Sequence, residues 1–230
     1  MNSQIEYQQY KSFMGENFPR SSFLKIPDGL VRKLFTIIHN SIIISEIFSS
    51  IRNLNSVCAQ LLADQKLIYL KTLYTLPMND DFQFYSIMRA NVENLLRILL
   101  SAFKPEMTYQ EIKETSFSKL NELLDMTYLN QKYKVELSDL YSYFGTFSKN
   151  IHRISNDQNT IFFLEEMMTK PIEFKFLESK ITSLEKIKNI LIYVFIDIYK
   201  LKSSSFDTPQ LTRLHSILGE VEYAKLPLFK

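Results

Sequence analysis

Two stretches of the sequence carry residue types and spacings suited to chemistry. In RANVENLLR, Arg89, Glu93 and Arg97 recur at steps of four, which sets all three along one face of a helix. Glu93 can then touch an arginine on either side. The neighbouring stripe of Phe84, Met88, Leu95 and Leu99 is apolar. One reading is an exposed ladder of ion pairs, worth only tenths of a kcal/mol. The other is that Glu93 orients Arg89 toward a second helix, where a held guanidinium suits a phosphate.

The second stretch is FSKNIHRIS, residues 147–155. At about 100° per residue, Tyr141, Gly145, Ser148 and His152 share one flank of the helix's apolar seam, with Lys149 and Asn150 beside them. An imidazole there can donate or accept a proton near neutral pH. The alternative is a histidine whose charge is favoured by the dipole at a helix C-terminus. Gly145 in mid-helix costs about 1 kcal/mol against alanine, and reads as a place of close helix approach or ligand access. His39 and His215 stand apart from such groups and read as structural or exposed.

What must position these residues is a set of long helices. The chain has 230 residues, 46% of them hydrophobic, with only 4 glycines and no tryptophan. So few glycines disfavour hairpins and phosphate-cradling loops, and 18 Phe with 13 Tyr supply the aromatic area. Apolar residues step by threes and fours from Leu30 to Leu76, with a weak stretch at Arg52–Asn55. A second helix opens at Asp80 or Asp81 and runs toward Pro105. Thr108-x-x-Glu111 has the form of a capping box, and an amphipathic segment follows from Ser116 to Leu129. Leu137, Leu140, Phe144, Phe147, Ile151 and Ile154 form the seam of the His152 helix. Residues 156–172 form a break, and a long helix is expected from about Phe174 to Ser203. A short one starts at Thr208-Pro209 and is closed by Gly219. The expected fold is an all-α, antiparallel helical bundle over residues 28–220, with an N-terminal arm (1–27) that docks or frays and a C-terminal tail (221–230).

Other function classes drop away. A net charge of +2 is low for a protein that grips duplex DNA through phosphates. The lysines of LESKITSLEKIK and its surroundings (Lys175, Lys180, Lys186, Lys188, Lys200, Lys202) alternate with acids and read as a solvated face. Cys58 is the one cysteine, so no intrachain disulfide forms, and with three scattered histidines it offers no zinc cluster. There is no glycine-rich phosphate loop, H-E-x-x-H, G-x-S-x-G or Cys-x-x-Cys. No cofactor is expected. MNSQIEYQQYKSF lacks the basic head and apolar body of a signal peptide, and no apolar run nears the about 20 residues of a membrane span. A cytoplasmic protein in a reducing compartment is expected.

A helix with R-x-x-x-E (Arg89, Glu93), followed by a later helix bearing Ser148-Lys149-Asn150-Ile151-His152, resembles the divergent HEPN superfamily. The resemblance covers roughly residues 30 to 200 in helix order. It implies a helical protein of a phage-defence or toxin–antitoxin type, and in active members a metal-independent endoribonuclease with two facing subunits. On that resemblance, His152 is the acid/base and Arg89 with Lys149 binds phosphate. Glu93 orients Arg89, while Ser148, Asn150 and Tyr141 meet the substrate. RNA supplies its own 2′-hydroxyl nucleophile, so such a site needs a proton acceptor and a charge stabiliser. The chain departs from the family's R-x(4–6)-H motif, because Gly145, Thr146 and Phe147 stand where its arginine would. Either Arg89, Lys149 or Arg153 supplies the cation from elsewhere, or the site is inactive. The second reading is a non-catalytic all-α module that dimerises or docks a protein partner.

Overall fold

The computed structural model describes residues 3–52, 54–151, 172, 174–226 and 228, and of residues 174–176 the backbone alone. Among these residues the fold is all helix, with no strand. The order is α1 (Ser3–Asn17), α2 (Asp28–Ser49), α3 (Ser56–Thr75), α4 (Asp81–Ser101), α5 (Tyr109–Glu114), α6 (Phe117–Asp125), α7 (Leu129–Lys132), α8 (Lys134–Ile151), α9 (Phe174–Ile198) and α10 (Thr208–Ala224). The long apolar pattern from Leu30 to Leu76 is thus two helices. The chain breaks between Ser49 and Ser56, and Asn55 restarts it by accepting a hydrogen bond from the Val57 amide at 2.8 Å. The capping box at Thr108 forms, with Thr108 Oγ1 accepting from the Glu111 amide and Glu111 Oε2 accepting from the Thr108 amide. Gly219 adopts a φ of 74° and interrupts α10, a conformation that glycine alone takes without strain.

Helix α4 is central: α3, α5, α6, α8 and α9 all pack on it. Leu95, Leu96, Ile98, Leu99 and Leu100 are fully buried there, so apolar contact surrounds the helix along its C-terminal half. α9 runs parallel to α4, since Lys180 meets Asp81 near their starts and Tyr199 meets Ser101 near their ends. Phe195 stacks on Phe48 with ring centroids 4.4 Å apart, closing α9 onto α2. Burial pushes the Cys58 thiol up to about 11, which makes it a packing residue and no nucleophile.

The arm expected over residues 1–27 is a docked helix. Only Tyr7 and Met14 of α1 are buried, so little apolar periodicity marks it in sequence. Polar ties hold it instead. Tyr7 donates to Asp28 at 2.8 Å, Lys11 pairs with the same carboxylate at 2.6 Å, and Tyr10 donates to the Leu73 carbonyl at 2.7 Å. His39 is structural: its Nε2 meets Glu6 of α1, and its ring stacks on Phe35, which stacks on Tyr10 as well.

Two lysines assigned to a solvated face are not there. Lys188 is buried, and loss of water pushes its ammonium below the ordinary lysine range. Lys180 has a side chain only 12% exposed and lies 4.0 Å above the Phe84 ring. Alternation of acids and bases marked the segment as polar, but the period-3.6 wheel turns these two inward. Among the described residues, no helix is long and apolar enough to cross a membrane.

Candidate functional site

The expected site residues that the structure describes are carried by α4 and α8, which pack against each other. The two helices run antiparallel: Tyr85 meets Phe147 at 6.2 Å between ring centroids, and the Arg89 guanidinium carbon lies 4.8 Å from the Phe144 ring centre. Leu137, Leu140 and Phe147 are buried, as the seam requires. Phe144 lies at the seam's edge and stacks face to face with Phe117 of α6, their centroids 3.4 Å apart. Arg89 therefore rests on an aromatic platform built by two helices.

Glu93 does not hold Arg89. Its carboxylate accepts from Arg97 Nη2 at 2.8 Å, and the two side chains are only 19% and 14% exposed. Arg97 also donates to the carbonyls of Ile112 (3.2 Å), in the last turn of α5, and of Thr115 (3.3 Å), the residue that caps it. Geometry decides between the two arginines: Arg97 has backbone carbonyls to bind across the helix pair, and Arg89 has a ring. The pair is accordingly neither an exposed ladder nor a phosphate clamp. It ties α4 to the end of α5. Arg89 has no carboxylate partner among the described residues and remains an unneutralised, half-buried cation.

Ser148 stands one turn beyond Phe144 on α8, and its Oγ is buried without a hydrogen-bond partner. The antiparallel register carries it toward the start of α4, away from Glu93. Lys149 is exposed and Asn150 half-buried. Tyr141 donates to Asp125 at 3.3 Å, and burial together with that carboxylate pushes its hydroxyl above the usual tyrosine range. Its ring meets the Phe117 edge at 6.1 Å, so it braces the platform. His152 and Arg153 lie outside the described residues. Among the described residues, no three His, Cys, Asp or Glu side chains gather as a metal site.

The chain matches no protein-family model, no curated protein and no solved structure.

Gly145 serves no close approach. A Cβ built there meets nothing within 4 Å. Gly145→Ala is accordingly expected to raise the unfolding free energy by about 0.5–1 kcal/mol, read as a higher urea midpoint with an unchanged slope. A loss of stability would show that the position needs glycine after all.

Sequence reading overlooked a buried amide cluster behind this surface. Gln65 Nε2 donates to Asn91 Oδ1 at 2.6 Å, and Asn94 Nδ2 donates to Gln65 Oε1 at 2.8 Å and to the Leu61 carbonyl at 2.9 Å. The Tyr69 hydroxyl adjoins Ser41, Gln65 and Asn91. A signal was present: Asn91 falls three residues after Met88 and four before Leu95, on the apolar stripe itself. Lys180 was overlooked in the same way. It lies over Phe84 and Tyr85, so Tyr85 has Lys180 on one side and Arg89 one turn along α4.

Proposed function

We propose that this chain is a HEPN-like helical protein of a phage-defence or toxin–antitoxin type that binds single-stranded RNA on its α4–α8 face and cleaves it without a metal. One observation carries this reading. Among the described residues, Arg89 lies on Phe144 with no carboxylate to neutralise it, and Phe144 stands one helical turn from the unpartnered hydroxyl of Ser148. A cation held flat on an aromatic ring suits a phosphate next to a stacked base. Lys149 adds a second cation from solvent, and Asn150, half-buried beside it, hydrogen-bonds the sugar–phosphate. Tyr141 supports Phe117 and Phe144 from Asp125. Glu93 acts at one remove, by committing Arg97 to α5 so that Arg89 stays uncompensated.

In the proposed reaction His152 takes the proton of a ribose 2′-hydroxyl. That oxygen attacks the adjacent phosphorus, the P–O5′ bond breaks to leave a 2′,3′-cyclic phosphate, the departing 5′-oxygen takes a proton from water, and Arg89 stabilises the charge on the phosphoryl oxygens. Purified protein in excess chelator is expected to cut labelled single-stranded RNAs of varied sequence, and His152→Ala to abolish cutting with the thermal melt unchanged. Intact RNA with the wild-type chain, together with harmless expression in cells, removes the enzymatic half. The non-catalytic interaction module then stands in its place.

A further inference from the structure

The outward face of α3 carries an apolar stripe that no described helix covers. Leu67 is 49% exposed, Leu70 44% and Tyr74 53%, and Ala63 is exposed one turn earlier. These positions step by four, three and four, the spacing of a helix-packing seam. Rings from α1 and the residue after it extend the stripe: Phe18, just past α1, meets Tyr74 at 5.9 Å, and Phe13 of α1, 39% exposed, meets Phe18 at 6.1 Å. Monomeric proteins scatter single apolar residues over their surfaces, whereas contiguous rows mark contacts.

Charge along the stripe points to its occupant. Asp64 and Lys71 are seven residues apart, so they lie on the same flank of α3, within about 20° of each other. Asp64 Oδ2 is taken by Tyr109, which donates at 2.6 Å, and by Lys113, which also donates to the Tyr109 hydroxyl at 2.9 Å. No hydrogen bond or ion pair is made to Asp64 Oδ1 among the described residues, and Lys71 is exposed there with no ion pair. The carboxylate is thus held in place with one oxygen turned outward. On the other flank, Lys66 is already neutralised by Glu46 at 2.6 Å.

We propose that the occupant is the α3 of a second copy of this chain, packed antiparallel about a two-fold axis between Leu67 and Leu70. A two-fold perpendicular to the helices reverses their direction and keeps each flank on its own side. Leu67 of one copy then faces Leu70 of the other, and Tyr74 faces the small Ala63, so large meets small at both ends. Lys71 arrives about two residues, or about 3 Å, from the level of Asp64 in the mate. A lysine stem spans that offset, which gives two symmetric ion pairs through Asp64 Oδ1. Parallel packing offers neither match. Because α4 separates α3 from α8, this surface is distinct from a pairing through the Arg89 face, and it stands whether or not the chain cleaves RNA.

Sedimentation velocity on the full chain from about 1 to 100 μM tests it. The wild type is expected to be dimeric in this range. Leu70→Glu, at an exposed position, is expected to be monomeric with an unchanged far-UV spectrum and melt. Lys71→Glu is expected to raise the dissociation constant at least tenfold. A wild type that stays monomeric at 100 μM overturns the proposal. So does a Leu70→Glu chain that remains dimeric, or a Lys71→Glu chain with wild-type affinity.

Discussion

Asn94→Ala is expected to cost about 3 kcal/mol of folding stability, close to the loss from a large core truncation. Two contributions add. The Asn94 amide donates to Gln65 Oε1 and to the Leu61 carbonyl. Leu61 keeps its helical partner, but the Gln65 oxygen is left without a donor in a site with no access to water. The truncation also leaves a void between α3 and α4, the interior pair around which the bundle is built. Urea unfolding with an unchanged slope is the measurement. In a double-mutant cycle, Gln65→Met with Asn94→Leu is expected to cost clearly less than the sum of the single changes, since removing both partners removes the unpaired oxygen. Additive losses would mean that the two amides do not act as a unit.

Arg89→Ala is expected to weaken binding of a short single-stranded RNA at least about tenfold while leaving the melting temperature within about 2 °C of wild type. Arg97→Ala is expected to do the reverse, losing about 2–3 kcal/mol of stability. The chemistry of the two residues is the same and their spacing on α4 symmetrical about Glu93, so the contrast rests on their partners. Arg97 is enclosed, paired with Glu93 and bound to two carbonyls at the end of α5. Its loss leaves a partly buried carboxylate without its counterion. Arg89 has a ring as its one charge partner among the described residues, and a half-buried cation on a ring contributes about 1 kcal/mol or less to folding. Fluorescence anisotropy with RNA, paired with thermal melts of both variants, separates the roles. If Arg97→Ala loses RNA binding with full stability, the two assignments are exchanged.

The all-α architecture was legible because the strong signals act locally. Three- and four-residue steps, a capping box at Thr108 and the weak stretch before Asn55 each depend on neighbours within a few residues. The placement of Arg89 and Ser148 on the α4–α8 contact follows from the same periodicity. The partner of Glu93 was illegible because a step of four is symmetrical. Only the position of α5, set by tertiary packing, decides that Arg97 has carbonyls to bind. The arm over residues 1–27 was expected to dock or fray, but its helix was illegible because hydroxyl and carboxylate ties hold it, and these leave no apolar period. The inward lysines, Lys180 and Lys188, were masked by the charges around them, since composition reports a segment and burial is settled one side chain at a time.

The order of helices around α4 has a consequence for how the chain comes to be assembled during synthesis. α3, α5, α6 and α8, which flank α4, are all complete once residue 151 has been made. Their mutual contacts close short segments, the kind that form early and fast. Among the described residues, α9 and α10 come back across the chain later: α9 meets α2 through Phe195 and Phe48 and α4 through Tyr199 and Ser101, and α10 reaches the end of α2, where Gln210 donates to Ser50 at 2.9 Å. Until the last turns of α9 leave the ribosome, the apolar sides of α2 and α4 that it covers stay open to water. A nascent chain paused before residue 174 is therefore expected to expose these apolar sides, and the arrival of α9 covers them before α10 docks.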